Sequence, residues 1–274
     1  MRLPRYVLPG AFVAIAGACA VSTQQELTLG QQYSTQLATE LPIVHDAAIQ
    51  RDLDTIGARL TRYSLRPEVH YQFFLVNSDV VNAFAVPGGY IYVTREIVEH
   101  MTSMDQLAGV LGHEMGHVEH RHSAKQIGRQ QAAEAGVALS GVLVGGQTGQ
   151  VVQQASGVTA QLVLQRYSRD QEREADRFGV SVTTQAGINP NGLVTFFQVL
   201  KQVEGTEPDA VSYFFSSHPL TEDRIHDVSA LIAATPAAQA ATQTGRHDDP
   251  VFQRFKARVH QLPPPPRPPA QQGH

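Results

Sequence analysis

Five residues, His113-Glu114-Met115-Gly116-His117, restrict this chain more than any other stretch. Two imidazoles four residues apart can serve one ion when the backbone between them is an α-helix, because there positions i and i+4 share a face. The surrounding sequence agrees. Ser103 reads as an N-cap, and Gln106 three residues on predicts a capping box. Leu107, Val110, Leu111, Met115 and Val118 then follow at helical spacing. Glu114 sits one residue past the first histidine, within reach of a water held by the same ion. The arrangement implies a single zinc ion that lowers the pKa of its water towards about 7, with Glu114 as general base. The plain alternative is two surface histidines on a helix. The small and apolar neighbours argue against it, because they belong to a buried helix.

A catalytic zinc needs a third protein ligand and an open fourth position. His120 and His122 do not fit the extended three-histidine pattern, which requires glycine at position 120 and histidine at position 123. The better candidate lies in the segment Ser168 to Gly179, where Glu172, Glu174 and Asp176 fall at helical spacing. Glu172 and Asp176 are one turn apart and share a face, whereas Glu174 is expected to point elsewhere. Glu172 reads as the third ligand and Asp176 as a carboxylate that buttresses a ligand histidine. Taken alone, the same acids also fit a solvated charged face.

The rest of the chain reads as one domain over residues 24–232. Two helices are expected over residues 24–62, broken near Pro42, and a strand over 69–76. Val80–Val86 and Tyr90–Thr94 flank Pro87-Gly88-Gly89, which predicts a hairpin. A helix is expected to start near Thr94. Residues 124–167 read as helical, and the apolar run Val137–Val144 is too short to cross a membrane. The expected class is α+β: a mainly helical, zincin-type domain with a small antiparallel sheet beside the histidine helix.

The ends read differently. Residues 1–19 have the positive, apolar, small-residue order of an export signal. Cys19 is the only cysteine, so it makes no internal disulfide. It follows Ala16-Gly17-Ala18 in a pattern resembling a lipobox, which predicts a lipid anchor in a bacterial outer membrane and a periplasmic protein. Cleavage after Ala18 or Ala20, without lipid, is the alternative. Residues 233–250 read as a loose linker, Pro250 to His260 as a short amphipathic helix, and Pro263–Pro269, with six prolines, as a disordered tail. A net charge of −4 without a basic run excludes nucleic acid as an expected partner.

His-Glu-x-x-His followed by Glu172-x-x-x-Asp176 resembles the HtpX and BepA type of zinc metallopeptidase, a group that includes the CAAX prenyl endopeptidases. Three further segments match in order: Asn82 to Gly89, Ser168-Arg169, and Ser217-His218-Pro219 through Arg224. The resemblance implies that His113, His117 and Glu172 bind one zinc ion and that Glu114 is the base. It implies that Asp176 steadies a ligand histidine, and that His218 and Arg224 face the site as oxyanion donors. Asn82 and the strand from Tyr90 would line a cleft in which an extended polypeptide adds to the hairpin edge. His218 is also a candidate fourth ligand that keeps the resting site closed. The chain departs from the family's branches with transmembrane helices or C-terminal helical repeats, which implies a compact exported member. The expected activity is endopeptidase cleavage of misfolded or misassembled envelope proteins. The competing reading is a zinc-stabilised chaperone or outer-membrane assembly factor. Glu114 favours the enzyme, since a binding module needs no base beside its first ligand. A structural zinc site is disfavoured by the single cysteine. Nothing in the sequence sets an oligomeric state.

Overall fold

The structure, a computed structural model, describes residues 21–130, 132, 166–219, 222–244 and 249–266. The expected export signal with Cys19, the run Val137–Val144 and the tail from residue 267 onward lie outside the described residues.

Both N-terminal helices form: α1 at Thr23–Glu40 and α2 at Ala47–Thr61. Ser22 and Gln25 close a capping box on α1, and Asp46 caps α2. Strand β1 (Gln72–Val76) is shorter than its apolar run. Strands β2 (Ala83–Val86) and β3 (Tyr90–Thr94) form the hairpin. Its turn uses Gly88 at φ 82° and Gly89 at φ 98°, a region that disfavours side chains. The sheet is mixed rather than purely antiparallel. β3 lies in the middle, antiparallel to β2 and parallel to β1. Thr94 caps α3 (Arg95–His100).

Helix α4 (Met104–Glu119) carries the histidine pair and is buried on every side from Met104 to Val118. A helix without a wet face belongs at the centre of a fold. Ser103 caps it through the Gln106 amide N–H, but the expected box is one-sided. The Gln106 side chain accepts from the Thr102 N–H at 2.7 Å instead. A helical run at residues 122–130 follows. Beyond it come α5 (Arg169–Gln185), α6 (Asn191–Thr206), α7 (Pro208–Ser217), α8 (Glu222–Ala234), α9 (Pro236–Thr244) and α10 (Pro250–His260). Ser168 and Gln171 form a full capping box on α5.

Helical structure continues past the expected domain end at residue 232. The expected linker contains helix α9, whose Ala238 and Ala241 are buried. α10 returns to α2 and α3, and Phe252, Phe255 and Val259 are completely buried in the main core. A segment that contributes three such side chains belongs to the domain. No helix among the described residues is long and apolar enough to cross a membrane.

Helix α4 packs most extensively on α5, and α6 covers a second flank. The α4–α5 approach is close at Gly116, where an added Cβ would lie 2.7 Å from Ala175 Cα and 2.9 Å from its carbonyl oxygen. This proximity carries the α5 carboxylates to the α4 histidines. Gly116→Ala is therefore expected to lower stability by about 1–3 kcal/mol through overpacking. It should also weaken zinc binding, because the displaced helix bears Glu172. Thermal unfolding of the metal-free protein and zinc titration check the two effects. Unchanged values in both would show that the close approach is dispensable.

Candidate metal centre

Four ligand atoms converge where α4, α5 and the α7–α8 junction meet. His113 Nε2 and His117 Nε2 are 3.0 Å apart, the geometry expected from one helical turn. Glu172 Oε1 lies 3.4 Å from His117 Nε2 and 3.2 Å from His218 Nδ1. His218 Nδ1 lies 3.3 Å from His113 Nε2. His113, His117, Glu172 and His218 are the residues among those described whose ligand atoms lie close enough to share an ion. A tetrahedral zinc with bonds of about 2.0–2.1 Å has ligand atoms about 3.3 Å apart, so the four-atom set fits it.

The charges fit as well. Glu114, Glu172 and Asp176 are buried, and one buried guanidinium, Arg224, faces them. A divalent cation would balance the remaining negative charge. Neither carboxylate oxygen of Glu114 has a hydrogen-bond partner among the described residues, and neither does His218 Nε2. These two unpartnered groups face each other, with His218 Nε2 3.7 Å from Glu114 Oε1. Buried polar atoms left this way point to a missing partner.

Arg224 holds the acids in place. Its Nε donates to Asp176 Oδ2 at 2.8 Å and its Nη2 to Asp176 Oδ1 at 2.7 Å. Its Nη1 lies 2.5 Å from Glu172 Oε2 and also donates to the Pro219 carbonyl at 3.2 Å. The guanidinium rests on the Phe197 ring. Burial is the largest single influence and would raise both acids; Arg224 leads the opposing contributions, joined at Glu172 by His218 and His117 and at Asp176 by His113, and together they outweigh it. Glu172 stays well below the usual carboxylate range, and Asp176 is lowered too. Burial raises the Glu114 carboxyl and lowers the His117 imidazole well below its ordinary value.

Around this set the two α4 histidines are tied from behind. Asp176 Oδ1 lies 2.9 Å from His113 Nδ1, as expected of a carboxylate that buttresses a ligand. The Tyr167 ring stacks on His117 at 3.7 Å between centroids, with its hydroxyl 3.0 Å from Ser123 Oγ. His122 lies beside His117, and Glu174 beside His122. Sequence reasoning missed Tyr167, and it set His122 and Glu174 aside. No spacing rule links 117 to 122 or 167. The buried and unpartnered Asn82 is placed beside Thr94 at the start of the hairpin, its backbone N–H 3.1 Å from Thr94 Oγ1.

Comparison with known proteins follows the same lines. The model for Peptidase family M48 matches residues 47–232. The chain is 29% identical over 233 residues to a putative beta-barrel assembly-enhancing protease of Vibrio cholerae, an alignment covering 78% of this chain and 45% of that protein. It is 30% identical over 213 residues to the metalloprotease LoiP of Escherichia coli, covering 77% of this chain and 82% of the relative. The metalloprotease YcaL of the same organism is 31% identical over 170 residues, 61% of this chain and 63% of that protein. The chain thus spans about half the length of the assembly-enhancing proteases it matches.

The Arg224 pairing gives a pH signature. A carboxyl whose folded pKa is depressed contributes stability above its unfolded value of about 4, and that stability is lost as pH falls through the folded value. Arg224→Met removes the leading cause of the depression at Asp176. The metal-free variant should be about 3–5 kcal/mol less stable near pH 7, because two carboxylates are left uncompensated. In the variant burial raises both carboxyls, so they take up protons as pH falls from 7 towards 4, and the deficit should shrink across that range. Melting temperatures of both proteins across this range check it, and a deficit independent of pH would contradict it.

Proposed function

Since the chain belongs to peptidase family M48, we propose that it is a zinc-dependent metalloendopeptidase in which His113, His117 and Glu172 hold one ion and Glu114 is the general base. One observation carries this reading: a four-atom ligand set of tetrahedral dimensions lies beside a buried, unpartnered glutamate. Zinc supplies Lewis acidity there, making water a nucleophile near neutral pH and polarising the scissile carbonyl.

The chain's own residues do the rest. Glu114 takes the proton of the attacking water on its carboxylate and returns it to the leaving amine nitrogen. Burial raises its carboxyl, which makes it the better acceptor for the first of these transfers. Asp176 accepts from His113 Nδ1 and so keeps the His113 Nε2 lone pair free. Arg224 has its donors engaged by Glu172, Asp176 and Pro219, so we assign it to holding the two acids rather than to the oxyanion. His218 fills the fourth corner with Nδ1 and is fully buried, which supports a latch that must withdraw before a peptide carbonyl can enter.

The substrate is taken to be polypeptide in extended form along the β2–β3 hairpin. Misfolded or misassembled cell-envelope proteins are the proposed class. Support comes from the name of the beta-barrel assembly-enhancing relatives and from the signal-like residues 1–19. A lipid on Cys19 would anchor the protein to the outer membrane, with the domain in the periplasm.

Digestion of unfolded casein tests the chemistry. Glu114→Gln should lose about 10²–10⁴-fold in rate while retaining zinc, and chelator should abolish wild-type cleavage. Equal cleavage in all three would refute the enzyme reading. Under the latch reading His218→Ala should cleave faster than wild type; a rate at or below wild type would remove the latch and leave the protease.

A further inference from the structure

One pair of titratable side chains beside the metal centre has no part in the chemistry above. On a continuing helix, residue 122 would lie roughly 140° round from residue 117 and away from it. The helix does not continue. It ends at His120, and Arg121 takes φ 57°, the one positive value among the described residues other than glycine. That conformation is costly for a side-chain-bearing residue and is held from outside. Arg121 Nε donates to the buried Glu26 at 2.7 Å, and its Nη2 to the Val21 carbonyl at 2.5 Å. Glu26 is also bound by Arg66, which donates through Nη1 to the Val118 carbonyl at the end of α4. The reversal at Arg121 folds His122 back onto His117.

The result is a continuous row of hydrogen bonds. His117 Nδ1 and His122 Nδ1 are 2.9 Å apart, and His122 Nε2 is 2.9 Å from Glu174 Oε2 on α5. His122 is buried, and the Glu174 side chain is 41% exposed. The proton positions follow from the ends. Glu174 as a carboxylate only accepts, so His122 donates from Nε2 and accepts at Nδ1. The proton between the two rings therefore belongs to His117 Nδ1. Its Nε2 is left with a lone pair, directed at the four-atom set. The reverse order would place a proton on His117 Nε2 and spoil it as a ligand.

We propose that His122, backed by Glu174, is a positioning residue that selects the ligating tautomer of His117 and fixes its ring, the counterpart of Asp176 at His113. This rests on the reading of His117 as a zinc ligand. The two supports differ in kind. Asp176 touches His113 directly and is buried with Arg224, whereas the charge of Glu174 is partly in water and acts through an intervening ring. The acceptor atom of His122 should thus matter more than the charge of Glu174.

The test is zinc affinity of the purified, metal-free full chain, read by competition with a chromophoric chelator. Cobalt(II) absorption of the same variants reports ligand geometry, and melting of the metal-free proteins reports packing. His122→Phe, which keeps a ring and removes the acceptor, should bind zinc 10–100-fold more weakly. Its cobalt spectrum should shift. His122→Asn, which restores an acceptor near Nδ1, should recover about tenfold of that loss. Glu174→Ala should weaken binding by roughly threefold to tenfold, towards the lower end of the range for such outer supports. Wild-type affinity in His122→Phe would overturn the proposal, and so would equal weakness in the Phe and Asn variants, which would mark lost packing alone. Should His122→Phe not fold, His122→Asn and Glu174→Ala decide, and wild-type affinity in Glu174→Ala overturns it. Failure of the wild-type protein itself to bind zinc would instead refute the reading of His117 as a ligand.

Discussion

A carboxylate without solvent survives in a protein core when a cation meets it, and here one arginine meets two. Arg224 spans Glu172 and Asp176, four residues apart on α5, and rests on Phe197. Deprived of it, burial would push both carboxyls towards their neutral forms. A neutral Glu172 is a poor metal ligand, and a neutral Asp176 no longer fixes the proton of His113. On the proposed assignment, one guanidinium therefore supports the third ligand directly and the first ligand at one remove. Such an arrangement is costly in desolvation, and a hydrophobic trio would have been easier to bury. Its retention fits a site selected for chemistry rather than for stability.

Geometry comes from a different source. The two helices that carry ligands approach so closely that an alanine-sized side chain at Gly116 would meet the backbone of Ala175. Both helices are therefore placed by backbone contact, not by flexible side chains, and ligand positions inherit that precision. The α4 helix has no wet face, so it cannot rotate without burying polar groups or exposing apolar ones. The sheet, α2 and α6 hold its flanks, and α10 packs behind them on α2 and α3 through Phe252, Phe255 and Val259.

What was legible in the sequence was what depends on local spacing. His113 with His117, and Glu172 with Asp176, are i,i+4 pairs, and helix periodicity alone places each pair on one face. The hairpin glycines, the Ser103 cap of α4 and the starts of α3 and α10 are local in the same sense. What joins the pairs is not local. Periodicity gave no reason to choose Glu172 over a solvated acid, and only the family resemblance did so. The roles of Arg224 and Tyr167 depend on helix packing across 48 and 50 residues. His122 was set aside because helical spacing puts it off the face of His117, and the turn at Arg121 that returns it is enforced by Glu26, 95 residues away. Glu174 does point away from the Glu172–Asp176 face, as expected, yet toward His122. The Pro250–His260 helix was read correctly, but α9 was missed because an alanine- and glutamine-rich composition resembles a linker until aromatic residues further along pin it to the core.

The same architecture constrains how the centre opens. His113, His117, Glu172 and His218 are all buried, and three of the four belong to helices locked backbone to backbone. Separating α4 from α5 to admit a peptide would dismantle the ligand set itself. His218 differs. It stands at the C-cap of α7, just past the helix and next to Pro219, so it can leave without disturbing α4 or α5. Arg224 resists this, since its Nη1 binds the Pro219 carbonyl, one residue from His218, as well as Glu172. On the latch reading, the guanidinium that keeps Glu172 charged is thus joined to the segment that must move. Withdrawal of His218 would loosen the Pro219 contact while the two contacts to Asp176 hold Arg224 where it is. On the latch reading, the metal-binding half of the centre and its cover share one residue, and the stronger of its attachments lie on the half that must stay still.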